Sequence, residues 1–216
     1  MRQPTPVNAD ASLHSLLRHY WVEATRVTAS IDLDRLEAAA TMLIECQARG
    51  RVVFAAGNGG SAATASHFAC DLAKGTRAGG PPTFRVVALT DNMPVLTAWA
   101  NDNGYDQVFA EQLESLARPG DLLVAISASG NSPNILAAAA SARAHGVKVI
   151  ALTGRTGGKL AQVADVVVTV PSDCIEVVED AHLIVAHSLC VATRERLKHG
   201  RSNGKVALAP TRLAGR

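Results

Sequence analysis

The stretch Leu122-Leu123-Val124-Ala125-Ile126-Ser127-Ala128-Ser129-Gly130-Asn131-Ser132 decides the fold. Its first five residues form a short, wholly apolar run, the pattern of a strand buried on both faces. The next six are serines, an alanine, a glycine and an asparagine, and an Ala-rich segment then reads as a helix over 132–145. A strand, a hydroxyl-rich loop and a helix start together form a holder for phosphate. The first N–H groups of a helix have no partner within it, and its dipole favours an anion there. Gly130 allows a backbone turn that a larger residue would resist. No lysine of the Walker type follows, so the loop is not that of a nucleoside triphosphatase. By itself the loop also reads as an ordinary helix cap, because Ser and Asn are preferred at that position.

Working outward, short apolar runs recur at 52–56, 85–89, 148–152 and 166–170, and each reads as a strand. Helical segments separate them over 61–74, as a pair around 95–117, over 132–145 and over 159–164, and a long last helix spans 175–197. Strands alternating with helices predict an α/β fold with a doubly wound, five-stranded parallel sheet, whose ligands sit beyond the C-terminal ends of the strands. Two more helices precede it. Leu13, Leu16, Leu17, Tyr20, Trp21 and Val27 form a stripe over 11–30, and Leu36, Ala39, Ala40, Leu43 and Ile44 form one over 33–49. Gly50 ends the second. The chain thus divides into an N-terminal helical hairpin (1–50) that reads as an oligomer contact, a sheet domain (51–197) and a basic tail (198–216). Residues 1–9, polar with two prolines, read as loose.

The 216 residues are 48% hydrophobic and 4% aromatic, which suits one domain with a small-aliphatic α/β core. Formal net charge is +2, but residues 198–216 hold five basic residues and no acid, leaving the rest net negative. The tail, rich in Gly, reads as solvated and disordered rather than as a polyanion-binding arm. No nucleic-acid partner is expected. Cys46, Cys70, Cys174 and Cys190 lack short paired spacing and read as free thiols of a reducing compartment. No apolar signal core or membrane-length segment occurs, so a cytoplasmic protein is expected.

Three further constellations carry chemistry. Gly57-Asn58-Gly59-Gly60-Ser61-Ala62 follows the first strand and formally matches the dinucleotide fingerprint, with Asp91 after the next strand as a ribose-binding acid. The helix that follows carries Ser66, His67 and Asp71 in place of small apolar residues, and a second hydroxyl loop has no work in a dinucleotide site. Two such loops suit a small phosphorylated sugar, one for the phosphate and one for the hydroxyls. His67 and Asp71, four apart on a helix, share a face and can share a metal or simply pair with each other. The last helix places Glu179, Asp180, His182 and His187 among apolar residues, where ionisable groups are costly unless paired or metal-bound. His182 reads as a hydrogen-bonded core histidine.

Together these residues resemble the sugar isomerase (SIS) domain family and, within it, the phosphoheptose isomerases, over residues 10–197. The marks are Gly57 to Ala63, His67-Phe68-Ala69, Ala100-Asn101-Asp102, Ser127 to Ser132, Leu152-Thr153-Gly154 with Gly157-Gly158, and the final acid–His–His helix. The resemblance implies interconversion of sedoheptulose 7-phosphate and D-glycero-D-manno-heptose 7-phosphate, a homotetramer with shared active sites, and Zn²⁺. It implies phosphate binding by Ser61, Ser127, Ala128, Ser129 and Ser132, and sugar contacts from Asn58, Gly59 and Asp102. It implies metal-ligand or acid–base roles for His67, Asp71, Glu179 and His187, with Asp71, Glu179 and His187 catalytic. The sequence departs from the family at Asp71, where a glutamate is usual, at Glu179, where many members have glutamine, and at Ala128, which replaces a threonine. Some SIS proteins are regulators or adaptors, one of them associated with a replication initiator. Retention of both His67 and His187 favours an enzyme over that alternative.

Overall fold

The computed structural model describes residues 12–77 and 83–202. The loose residues 1–9 and the part of the basic tail beyond Ser202 that were expected from the sequence lie outside them. Two helices, α1 (Leu13–Ala29) and α2 (Leu33–Ala48), precede the sheet. Asp32 starts α2, its side chain accepting from the N–H groups of Asp34 and Arg35 and so satisfying two orphan donors of the first turn.

The strands are β1 (Val52–Ala56), β2 (Arg85–Ala88), β3 (Leu122–Ser127), β4 (Lys148–Gly154) and β5 (Val166–Val170). They are all parallel, in the order β2-β1-β3-β4-β5. Helix α3 (Gly60–Cys70) follows β1, α4 (Met93–Asn103) and α5 (Ala110–Leu116) follow β2, α6 (Pro133–Ala144) follows β3, and α7 (Ile175–Ser202) follows β5. The five strands, doubly wound by these crossovers, match the expected class. Both faces are buried. Val53, Ala55, Val124 and Ile150 pack with Leu43, Phe68 and Val185 on one side, and Phe54, Leu123 and Val149 pack with Phe109, Ile135 and Ala139 on the other. At the N-terminal ends of the strands, the buried Asp121 accepts from Val52 N at 2.8 Å and the exposed Asp165 accepts from Val149 N at 2.7 Å, so these carboxylates hold register away from the site.

Strand order reverses direction between β1 and β3, and at that point the two following helices diverge to opposite faces and open a crevice. Both candidate loops leave the sheet there. The structure differs from the sequence reading in two elements. The expected helix over 159–164 is a single 3-10 turn, Leu160–Gln162. The last helix runs five residues past the expected end at 197, as far as Ser202, where Lys198 Nζ pairs with Glu195 Oε1 at 2.8 Å along the helix surface.

Candidate active site

At the C-terminal end of β3 three hydroxyls converge. Ser127 Oγ lies 3.0 Å from Ser132 Oγ and 3.5 Å from Ser129 Oγ. Ser132 is the cap residue of α6, yet its side chain makes no capping bond. A plain cap would instead turn its oxygen onto the helix. The loop is held from outside. Asn131 N donates to Ser129 Oγ at 3.1 Å, Lys159 N donates to Asn131 Oδ1 at 3.1 Å, and Gly154 N donates to the Ala128 carbonyl at 3.0 Å. Gly130 has φ +62°, and a Cβ there would stand 2.0 Å from the Gly157 carbonyl oxygen. A cavity of about 350 Å³ opens beside Ala128, Ser129 and Asn131, with the Arg155–Asp173 ion pair at 3.2 Å on its wall.

Across the crevice, Gly57 brings β1 tightly into α3, because a Cβ on it would meet the Ser61 carbonyl at 2.3 Å. Ser61 is buried in the first turn of α3, and Gly59, with φ +56°, is its cap. Asn58 turns its amide toward α6. It exchanges two 2.8 Å hydrogen bonds with the buried Asn134, and Tyr105 Oη donates to its Oδ1 at 3.0 Å. Neither partner was expected from the sequence. The signal was there at Asn134, a polar residue two places after Ser132 and directly before the apolar run 135–140. Asp102 is exposed at the end of α4, where its Oδ1 accepts from Asn101.

The third group forms where α3 meets α7. His67 and His187 face each other with Nε2 atoms 3.2 Å apart and ring centroids at 4.8 Å. Asp71 Oδ2 is 3.6 Å from His67 Nε2 and 3.5 Å from His187 Nε2. A π-helical turn, Asp71–Gly75, begins at this acid, a feature that often accompanies functional sites. These three residues offer ligand atoms that all lie within 4.8 Å of one another. Zinc bonds of about 2.0–2.1 Å in tetrahedral geometry imply donor–donor edges of ~3.3 Å, so the donor set fits a zinc-sized ion and leaves a fourth position open.

Glu179, expected with them, is not part of this group. Its carboxylate lies against Gly60 at the start of α3, where an added Cβ would be 2.3 Å from Oε2. Eight residues separate Glu179 from His187, about 12 Å along a straight helix, while the positive end of α3 attracts the carboxylate. His182 is buried in the core as expected, but neither ring nitrogen makes a well-formed hydrogen bond, the Thr153 main chain offering only a poorly aligned one, and the buried Thr153 hydroxyl is unpartnered. Burial pushes the His182 pKa down to about 4, with the main chain of Thr153 acting weakly in the other direction.

The SIS-domain family model matches residues 19–154, which hold most of this parallel sheet and the serine-rich loop at its reversal point. The phosphoheptose isomerase of Thiobacillus denitrificans is 45% identical over 161 residues, spanning 73% of this chain and 81% of that one. The solved phosphoheptose isomerase of Neisseria gonorrhoeae superposes with a TM-score of 0.80 at 35% identity, covering 85% of this chain and 100% of the other. A second, from Francisella tularensis, gives 0.80 at 32% identity, over 86% and 100%. The chain belongs to the phosphoheptose isomerase family.

Proposed function

We propose that this protein is a ketose–aldose isomerase that interconverts sedoheptulose 7-phosphate and D-glycero-D-manno-heptose 7-phosphate through an enediol. One observation carries the reading. Two imidazoles 120 residues apart in the chain meet at 3.2 Å beside a shared carboxylate, in a member of this family. Such a group suits a proton shuttle between adjacent carbons. One Asp71 oxygen faces both imidazoles, which leaves the other to take the proton from the carbon beside the carbonyl and return it to its neighbour. His187 moves the hydroxyl proton in the same sense, from the alcohol oxygen to the former carbonyl oxygen. The hydroxyls of Ser127, Ser129 and Ser132 with Ser61 hold the phosphate, and that remote anchorage positions the reacting end.

His67, Asp71 and His187 would hold the zinc ion, and Glu179 would join from α7 only after leaving Gly60. When bound, the metal supplies Lewis-acid stabilisation of the substrate oxygen that carries developing negative charge. The reading extends to a homotetramer formed through residues 1–50, to a sheet domain over 51–197, and to action in the cytoplasm. No described helix is long and apolar enough to cross a membrane.

The deciding experiment is turnover of five- to seven-carbon sugar phosphates by the purified protein, with Ser127→Ala and Ser129→Ala beside wild type. Each serine change removes a charge-assisted hydrogen bond worth ~1.5–3 kcal/mol, so affinity for the phosphorylated substrate should fall about 10- to 150-fold. No isomerisation of any of these sugars would leave the non-catalytic, adaptor-like alternative standing.

A further inference from the structure

We propose that Asn134 and Tyr105 are positioning residues that clamp Asn58 as a donor-only group and so fix the sugar-facing loop relative to the phosphate loop. The proposal rests on the reading above that one sugar phosphate spans both loops. Asn134 is 1% exposed and sits in the first turn of α6, just past Ser132, while Asn58 follows β1. Their amides form a closed pair, Asn58 Nδ2 to Asn134 Oδ1 and Asn134 Nδ2 to Asn58 Oδ1, both at 2.8 Å. A primary amide has two oxygen lone pairs and two N–H groups. The second lone pair of Asn58 Oδ1 takes the Tyr105 hydroxyl at 3.0 Å. Its oxygen is therefore fully occupied, and one N–H is left for a substrate. That group can meet a sugar oxygen but cannot accept from a sugar hydroxyl.

The pair crosses the reversal point of the sheet and joins the ends of the two strands whose loops form the crevice. Each member must donate and accept at once. A carboxylate at 134 accepts but cannot donate, so it would press its oxygen against Asn58 Oδ1. A neutral carboxylic acid can do both. A pair that served only to fold α6 would affect every ligand of the phosphate loop alike, whereas a clamp on Asn58 affects the sugar alone.

The test is a ratio of affinities, sedoheptulose 7-phosphate over inorganic phosphate, measured by calorimetry on the full chain between about pH 5.5 and 8.5. Comparing each variant's ratio with that of wild type at the same pH cancels the titration of the two phosphates themselves. Wild type should prefer the sugar phosphate at every pH. In Asn134→Asp the ratio should fall about tenfold at high pH and recover toward wild type at low pH, where the introduced acid is neutral and donates again. The introduced charge lowers affinity for both phosphates alike and so cancels in the ratio, while Ser127, Ser129 and Ser132 stand outside the pair. Tyr105→Phe, a change at a side chain 53% exposed, should lower the ratio a few-fold at all pH values, and it carries the test if Asn134→Asp does not fold. Equal losses for both ligands, a loss in Asn134→Asp that ignores pH, or unchanged ratios would overturn the clamp. A wild type that prefers the sugar phosphate but fails to isomerise it defeats the isomerase reading, and the ratios still decide the clamp. A wild type with no such preference overturns the clamp.

Discussion

Asp71 has one methylene fewer than the family's glutamate, yet its Oδ2 stands within 3.6 Å of both imidazoles because His67 and His187 lean toward it from two helices. Glu179, the other candidate base, lies at Gly60 instead. Asp71→Asn should therefore cost ~10²–10⁴-fold in turnover, while Glu179→Gln should be mild. Initial rates and bound zinc in both variants check this, and full activity in Asp71→Asn would remove it as the base. His182 makes a second point at this scale. Its folded pKa of about 4 lies below its ordinary 6.5, so the fold favours the neutral ring. That contribution is complete above pH ~6.5 and is lost as pH falls toward ~4, by about 3 kcal/mol. Denaturant titrations should show the slope in wild type and lose most of it in His182→Leu. A slope that survives the substitution would assign acid sensitivity to other groups.

At the scale of elements, the phosphate loop depends on two glycine-bearing turns meeting backbone to backbone. Gly130, with φ +62°, faces the Gly157 carbonyl, and a Cβ on Gly158 would lie 2.5 Å from the Gly130 carbonyl. Gly130→Ala combines a strained φ with a clash against main chain that no side-chain rotation relieves. It should destabilise the fold by at least ~1–3 kcal/mol and abolish phosphate protection against thermal unfolding. Retained protection would show that the loop can move as a unit. The elements themselves were legible because apolar runs of strand length alternate with helical stretches, so β1 and β5 match the sequence reading residue for residue. Strands β3 and β4 reach into Ser127 and Gly154 because paired backbone, not hydropathy, ends a strand. The amide pair of Asn58 and Asn134 was not legible, since it joins residues 76 apart that no local period connects. The separation of Glu179 from the His–Asp–His group was equally hidden, because which turn of a long helix faces a neighbour is set by tertiary packing.

For the whole molecule, α1 is apolar on two sides. Tyr20, Ala24 and Val27 pack inward, with Tyr20 Oη donating to Asp180 at 2.5 Å and Ser172 Oγ donating to Glu23 at 2.7 Å. Leu13, Leu17 and Trp21, at successive helical turns, are 79%, 64% and 69% exposed. A groove of about 550 Å³ between α2 and α7, lined by Leu36, Ala40, Ile44 and Leu189, is also open. The His67 and His187 side chains are 48% and 46% exposed, so in a single chain the proposed proton-transfer group stands open to water. Water-excluded sites strengthen such electrostatic contacts, and a second chain over α1 would bury the stripe. Burying a large apolar side chain contributes ~1.5–3 kcal/mol, and in a symmetric assembly each substitution acts once per subunit. Trp21→Glu, exposed in the single chain, should leave the fold intact but shift the proposed homotetramer to smaller species. Light scattering at micromolar concentration would show that shift, and turnover per chain should fall with it if active sites are shared. A wild type that scatters as a monomer, or a dissociated Trp21→Glu with unchanged turnover, would show that each chain works alone.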